Sequence, residues 1–250
     1  MQPDEDAILR AKLQDAIRLA RQGSGAHFIG FLNERQAALA AQETEKMQFK
    51  NYLFWGGFCG AERVCFGAFP EWMELSEDAF PIETATATFR TDDHLTHRDF
   101  LGALMGTGVQ RKVLGDILLE SGRCVFFFRQ EMADFLLLQL TRIGRVGIKI
   151  SLGAEKPFPP AHEYRAFSAV IASPRIDCVV AACIGFSRAK SHTLLSKGYI
   201  QMNHQLVYAP DAAVREGAVL SVRGKGRFRI DSLSRQTPKG RLRLEGRKFI

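Results

Sequence analysis

Between Ser173 and Gly198 the chain sets cations and hydroxyls at helical spacing. The cations are Arg175, Arg188, Lys190 and Lys197, and the hydroxyls are Ser187 and Ser191. Guanidinium and ammonium groups neutralise phosphates, and hydroxyls hydrogen-bond phosphate oxygens or a ribose 2′-OH. Ser173 and Ser187 stand where helices would begin, and a helix N-terminus offers N–H groups to an anion. Further on, Arg223-Gly224-Lys225-Gly226-Arg227 alternates cations with glycine, which lets a backbone approach a polyanion between Lys225 and Arg227. This is binding chemistry. For Arg175 and Arg188 binding outweighs mere solvation. Arg215 and Arg247 read as solvated charges, and the glycine-spaced loop is evenly balanced between the two.

The charge distribution agrees. Residues 164–250 hold 16 Lys+Arg against 5 Asp+Glu, whereas residues 1–163 hold 18 against 22. A basic terminal third on a mildly acidic body is the footprint of a polyanion binder. The five cysteines (Cys59, Cys65, Cys124, Cys178 and Cys183) include no CxxC pair, so neither a disulfide framework nor a zinc site is expected. The opening Met1-Gln2-Pro3-Asp4-Glu5-Asp6 has no basic leader, and no apolar run approaches the roughly 18 residues of a membrane span. The expected setting is the cytoplasm, without a membrane partner.

Those groups need elements to hold them. Leu9, Leu13, Ala16 and Ala20 make one helical stripe, ended by Gly23-Ser24-Gly25. Asn33 and Gln36 have capping-box spacing for a second helix. Tyr52–Trp55 and Val64–Phe69 read as strands. Then Thr86–Thr91, a helix capped by Thr96 and Asp99, Ile117–Leu119, Cys124–Phe128, a helix over Gln130–Thr141 and Val146–Ser151 give the order β-α-β-β-α-β. That is a ferredoxin-like, RRM-like arrangement. Phe126 and Phe128 alternate on one strand; core packing outweighs a base-stacking role for them. Arg98, Arg111 and Lys112 cluster near the helix and the loop after it, and Arg98 and Lys112, with no evident core role, are candidates for a second RNA surface. Gly153, Pro157, Pro159 and Pro160 mark a linker. After it come a strand over Tyr164–Ala172, a helix starting at Ser173-Pro174 with a buried face of Ile176, Val179, Val180, Cys183 and Ile184, and a second short helix from Ser187 to Gly198. A hairpin turning at Asn203, strands at Ala218–Val222 and Phe228–Ile230, and a last hairpin at Pro238-Lys239-Gly240 complete the chain.

Arg175-Ile176-Asp177, Ser187-Arg188-Ala189-Lys190, Lys197-Gly198-Tyr199-Ile200-Gln201-Met202-Asn203 and Leu206-Val207 together resemble the S4 RNA-binding domain. The resemblance implies two short helices on a small twisted sheet. It puts Arg175, Ser187, Arg188, Lys190, Ser191 and Lys197 on the RNA-facing side, with Asp177 positioning the first helix. His204 departs from the glycine usual after the asparagine. Upstream, Phe31-Leu32-Asn33-Glu34-Arg35-Gln36, Trp55-Gly56-Gly57-Phe58, Gly60-Ala61-Glu62-Arg63, His97-Arg98-Asp99-Phe100-Leu101-Gly102-Ala103-Leu104-Met105-Gly106, Arg111-Lys112-Val113-Leu114-Gly115-Asp116-Ile117 and Gly144-Arg145-Val146 resemble the YlmH family. That resemblance implies a ribosome-associated protein acting on large subunits obstructed by peptidyl-tRNA, in support of C-terminal tailing of stalled nascent chains. Large-subunit rRNA, tRNA and other quality-control factors would be its partners.

The expected architecture is therefore α+β. It comprises an N-terminal α/β domain (1–78), a ferredoxin-like domain (79–152), a linker (153–163) and an S4 domain with C-terminal strands (164–250). A monomer is expected. S4 domains also ride on enzymes. A pseudouridine synthase would need its own aspartate loop. A methyltransferase needs a Gly-rich strand-to-helix turn, but Gly106-Thr107-Gly108 follows a helix. Six scattered histidines assemble no catalytic constellation. The expectation is a non-enzymatic binding factor with no cofactor, metal or catalytic residue. The competing readings are an rRNA- or tRNA-modifying enzyme with an unrecognised site in the first 150 residues, and an interaction protein of cell division.

Overall fold

Local signals start the N-terminal elements. Helix α1 (Pro3–Arg21) buries its stripe of Leu9, Leu13, Ala16, Ile17 and Ala20. Helix α2 (Glu34–Lys46) begins at the expected capping box, in which the Asn33 side chain accepts from the Gln36 N–H and the Gln36 side chain accepts from the Asn33 N–H. Two donors without intrahelical partners are satisfied at once, an arrangement typically worth about 1 kcal/mol. Strands β1 (His27–Leu32), β2 (Tyr52–Trp55) and β3 (Val64–Ala68) form an antiparallel sheet in the order β1-β3-β2. The computed structural model describes residues 3–161, 164–203, 205–235 and 241–249. The chain divides into two units, 1–161 and 162–250, and it is α+β throughout. No helix among the described residues is long and apolar enough to cross a membrane.

The first unit contains a second sheet. Its elements run β4 (Ile82–Thr88), α3 (His97–Gly106), β5 (Leu114–Glu120), β6 (Arg123–Arg129) and α4 (Ala133–Gln139). A two-stranded hairpin of β7 (Arg142–Ile143) and β8 (Val146–Gly147) follows, then β9 (Lys149–Leu152). The sheet order is β5-β6-β4-β9, with every neighbour antiparallel. Thr96 and Asp99 cap α3 reciprocally, as their spacing predicts. The helix expected over Gln130–Thr141 is shorter. Gln130–Met132 is a 3₁₀ turn, and the β7–β8 hairpin takes up the chain that was read as the start of the last strand.

Strand β6 explains the packing. Its successive side chains point to opposite faces. Phe126 and Phe128 pack with Ala85, Phe100, Leu104 and Leu136 under α3 and α4. Phe127 and Val125 pack on the other side with Phe31, Cys65, Phe69 and Phe80. All three phenylalanines are fully buried. The four-stranded sheet thus has an apolar cluster on each face, and Phe126 and Phe128 are core residues. Gly57 allows the close approach on the second side. Its φ is +98°, and a Cβ there would stand 2.4 Å from the Phe127 ring.

In the second unit, β10 (Tyr164–Ile171) leads to α5 (Ile176–Ile184) and α6 (Arg188–Ser196). Then come β11 (Ile200–Met202), β12 (Gln205–Leu206), β13 (Val219–Val222), β14 (Gly226–Arg235) and β15 (Leu242–Phe249). The sheet order is β10-β15-β14-β13-β11-β12. Ile176, Val179, Val180 and Leu195 of the helices bury against Leu220, Phe228, Ile230 and Leu244 of the sheet. Helix α5 starts later than expected, with Arg175 as N-cap rather than Ser173. The reason is non-local: Arg175 is extended and the chain at 174–176 is paired with residues 212–214, through Val214 N–H to Pro174 O at 2.8 Å, Ile176 N–H to Ala212 O at 2.9 Å and an Arg175–Ala213 bridge. Strand β14 is also longer than expected, at ten residues. The register shifts between Ile230 and Ser232, so Asp231 is an extra residue and the in–out alternation changes phase there. Asn203, where the hairpin is expected to turn, has a positive φ of 49°; His204 and the Pro238-Lys239-Gly240 turn lie outside the described residues.

Gly57→Ala should destabilise the chain by about 2–4 kcal/mol, combining a strained φ with overpacking on Phe127. Urea unfolding measures it. A loss under about 0.5 kcal/mol would mean that the Gly57 backbone does not lie on that ring.

Candidate nucleic-acid interface

The site is built around one carboxylate. Asp177 lies in the first turn of α5, and its side chain is fully buried. Burial of a lone carboxylate is strongly unfavourable, so partners must surround it. Its oxygens accept from the Cys178 N–H (2.8 Å), from Arg188 Nη2 (2.7 Å) and from Arg175 Nε (3.3 Å) and Nη2 (3.4 Å), and His192 Nε2 stands at 2.9 Å. Arg188 and His192 are one turn apart on α6 and so share the face turned to α5. The basic side chains remain open to solvent: Arg175 is 41%, Arg188 54% and His192 46% exposed. Burial alone would push the Asp177 carboxyl up. The hydrogen bonds from Arg188, His192, Arg175 and Cys178 outweigh it and hold the carboxyl well below the usual carboxylate range. One buried negative charge therefore orients two guanidinium groups and an imidazole at the surface, and the cluster stays net positive.

A ring joins the next element to it. Phe186, in the loop between the helices, has Lys190 Nζ 4.5 Å and Lys225 Nζ 4.6 Å from its centroid. The β13–β14 loop is thereby tied to α6. At the far end of α6, the Arg223 guanidinium lies 5.1 Å from the Tyr199 ring. Helix pair and loop form one basic surface of Arg175, Arg188, His192, Lys190, Lys225 and Arg223, with partly exposed rings between the cations. Such a mixture suits phosphate contact and base or ribose contact together.

The sequence candidates divide accordingly. Arg175, Arg188, Lys190 and Lys225 come together. Ser187 is exposed and caps α6, accepting from the Lys190 N–H. Ser191 is a correction: it is fully buried and donates to Ser187 O at 3.4 Å, so its hydroxyl faces no ligand. Lys197 is exposed but caps the other end of α6, roughly 13 Å along the axis from Arg188 at ~1.5 Å per residue. Arg227 parts from Lys225. Its guanidinium lies 4.6 Å from the Phe249 ring, because the strand alternation turns it to the sheet face away from the helices. The α5 N-terminus offers no anion site, since the Ile176 and Asp177 N–H groups donate to Ala212 O and Pro210 O. Gly224 and Gly226 have φ of 74° and 107°, as the tight turn requires, which accounts for the glycines without a ligand.

In the first unit, Arg98 is exposed at the start of α3 and Lys112 is exposed on a single 3₁₀ turn. Arg111 turns inward and donates to Leu114 O and Gly115 O. Arg63, prominent in sequence only as part of the Gly60-Ala61-Glu62-Arg63 motif, donates to Phe31 O, Arg111 O and Leu114 O, and desolvation with Arg111 nearby brings its pKa down to about 10. The missed residues of the main site are Phe186, Tyr199 and Arg223. An acid at the buried Asp177 position was the available signal, because a lone carboxylate on an apolar helix face demands basic partners. Burial pushes the Cys65 and Cys183 thiols up to about 12, so neither is a thiolate at neutral pH.

Asp177 gives a pH test. Its folded-state pKa is lowered, so its contribution is present above the ordinary carboxylate range and is lost as pH falls toward the folded value. Asp177→Asn should lose about 1–3 kcal/mol at neutral pH and show a flatter stability profile between about pH 5 and about pH 2. Urea unfolding at stepped pH measures it. An unchanged acid limb would mean that Asp177 is not ionised in the folded chain.

The chain is similar to known proteins in three comparisons. A family profile described as "Putative RNA-binding domain in YlmH" matches residues 78–155. "Ribosome-associated protein quality control protein P2" of Bacillus subtilis (strain 168) is 30% identical over 217 residues, which is 86% of this chain and 84% of that protein. The solved structure of "Cell division protein ylmH from Streptococcus pneumoniae" aligns with a TM-score of 0.51 at 21% identity, over 62% of this chain and 94% of that one, a likeness of fold. Identity and coverage at this level place the chain in the YlmH family.

Proposed function

We propose that this protein is a cytoplasmic, ribosome-associated RNA-binding factor of quality control. In this reading the second unit is an S4-type module whose helix pair grips folded large-subunit rRNA and tRNA. The observation that carries it is the buried Asp177 carboxylate holding Arg175, Arg188 and His192 at the surface. Side chains fixed before binding lose less conformational freedom on contact with phosphate, so the site is prepared for a polyanion. The name of the Bacillus subtilis relative supports the ribosomal setting and the quality-control role. Holding tRNA productively on an obstructed large subunit would let tailing of the stalled chain proceed.

The reading is of occupancy rather than catalysis. The groups gathered at Asp177 are charge-bearing contacts, and its carboxylate is already shared by two guanidinium groups. The middle domain, in this reading ferredoxin-like, would contribute through Arg98 and Lys112 at its periphery, because both faces of its sheet are packed.

Association with large subunits should depend steeply on salt. A surface making about 6–10 phosphate contacts loses ~10³–10⁵ in affinity between about 50 and 200 mM salt. Arg188→Ala with Lys190→Ala should weaken it further and lower the log–log salt slope by roughly 1 per contact removed. Cosedimentation with purified subunits measures both. Salt-insensitive association would overturn the reading. Comparison of rRNA and tRNA modification in cells with and without the gene separates it from a modifying enzyme.

A further inference from the structure

The six-stranded sheet has a second face. Phe167, Phe228, Ile230 and Leu244 point to the helices, so alternate positions point away from them. The register sets these into cross-strand rows. Ala166, Arg247, Arg229 and Val219 make one row, and Tyr164, Phe249, Arg227 and Ser221 make the next. Val170, Arg243 and Ser234 make a third. Four arginines, at 227, 229, 243 and 247, therefore share one face with two aromatic rings.

The contacts on that face are ordered. The Arg247 guanidinium lies 5.0 Å from the Tyr164 ring, and Arg227 lies 4.6 Å from the Phe249 ring. The two rings meet edge to face at 5.1 Å. Arg247 donates two hydrogen bonds to Asp231 at 2.8 and 2.9 Å, Arg229 stands 3.8 Å from the same carboxylate, and Arg243 stands 2.9 Å from Glu245. The hydrogen bond from Arg247 keeps the Asp231 carboxyl below its ordinary value despite partial burial. Two carboxylates against four guanidinium groups leave the face net positive. It is also accessible: Arg229 is 49%, Arg243 42%, Arg247 42% and Tyr164 39% exposed.

We propose that this face is a second nucleic-acid site, on the opposite side of the sheet from the helix pair, and that it takes single-stranded RNA. Ring-supported guanidinium planes and an accessible tyrosine offer surfaces on which unpaired bases stack, while the N–H forks reach the phosphates between them. A duplex keeps its bases stacked on one another and would use the charges but not the planes. An acidic protein would likewise leave the rings without a role. This inference does not rest on the helix-pair reading, and Arg247, a solvated charge by sequence alone, becomes part of a site.

The test uses the full-length chain and fluorescence anisotropy, with a labelled short oligouridylate and a labelled stem-loop RNA over a series of salt concentrations. Tyr164→Ala should weaken oligouridylate binding by roughly 5- to 100-fold, the range for loss of one stacked base. Arg229→Ala with Arg243→Ala should lower the log–log salt slope by roughly 0.7 per arginine, the single-strand value, and the matching double lysine variant should restore it. Restoration separates loss of charge from loss of fold. A wild-type chain that does not bind oligouridylate overturns the proposal, and so does unchanged affinity in both alanine variants. Sensitivity of oligouridylate binding to Lys190→Ala alone would assign single strands to the helix pair and overturn it too. Equal displacement by an oligoglutamate peptide would reduce the face to an unspecific polyanion surface. Failure of the helix-pair reading would show separately, in the stem-loop titration.

Discussion

A negative charge removed from water must be met by positive ones, and Asp177 makes the second unit satisfy that requirement. The carboxylate is inaccessible, while each basic side chain that answers it is about half exposed. The arrangement uses the stringent electrostatics of the interior to fix groups that work at the surface. It also connects the first turn of α5 to two positions of α6, so the angle between the helices and the placement of their cations are set together. The Phe186 ring, approached by Lys190 and Lys225, extends that order to a loop far away in sequence.

The first unit answers a different constraint. Its four-stranded sheet has phenylalanines pointing both ways from one strand, and each direction ends in a sealed apolar cluster. A sheet buried on both faces is read as a near-continuous apolar run, as Val125 to Phe128 is. Strands of this kind serve as walls. Whatever the unit contacts must be met by its helices, turns and edges, where Arg98 and Lys112 are placed.

The parts of this architecture legible in the sequence were those fixed by neighbours three or four residues apart. Asn33 with Gln36 and Thr96 with Asp99 announce their helices because the reciprocal bonds lie within one turn. The stripe of α1 is equally local. The start of α5 was misplaced because Ser173-Pro174 is a good local helix start, overridden by pairing with residues 212–214. Ser191 was placed on the open face because helical spacing identifies residues that share a side of α6 but not which part of that side the core covers. The clustering of Arg175, Arg188 and Lys190 was legible; the carboxylate that organises them was visible only as an acid out of place. Lys225 and Arg227 looked equivalent by sequence, but Lys225 lies in the turn and Arg227 in the strand beyond Gly226, and they end on opposite sides.

That divergence has its counterpart at the other end of β14. Asp231 is one residue more than the neighbouring strand can pair, and it turns the strand by half a period. Before it, odd-numbered residues face out; after it, even-numbered ones do, and Leu233 returns to the interior. The strand is thus written in two reading phases joined at a single position. Point substitutions along β14 would be judged singly, but removal of Asp231 would leave Phe228–Ile230 and Ser232–Arg235 on the partners they already have and merge the two phases into one, while taking from Arg247 the carboxylate to which it donates.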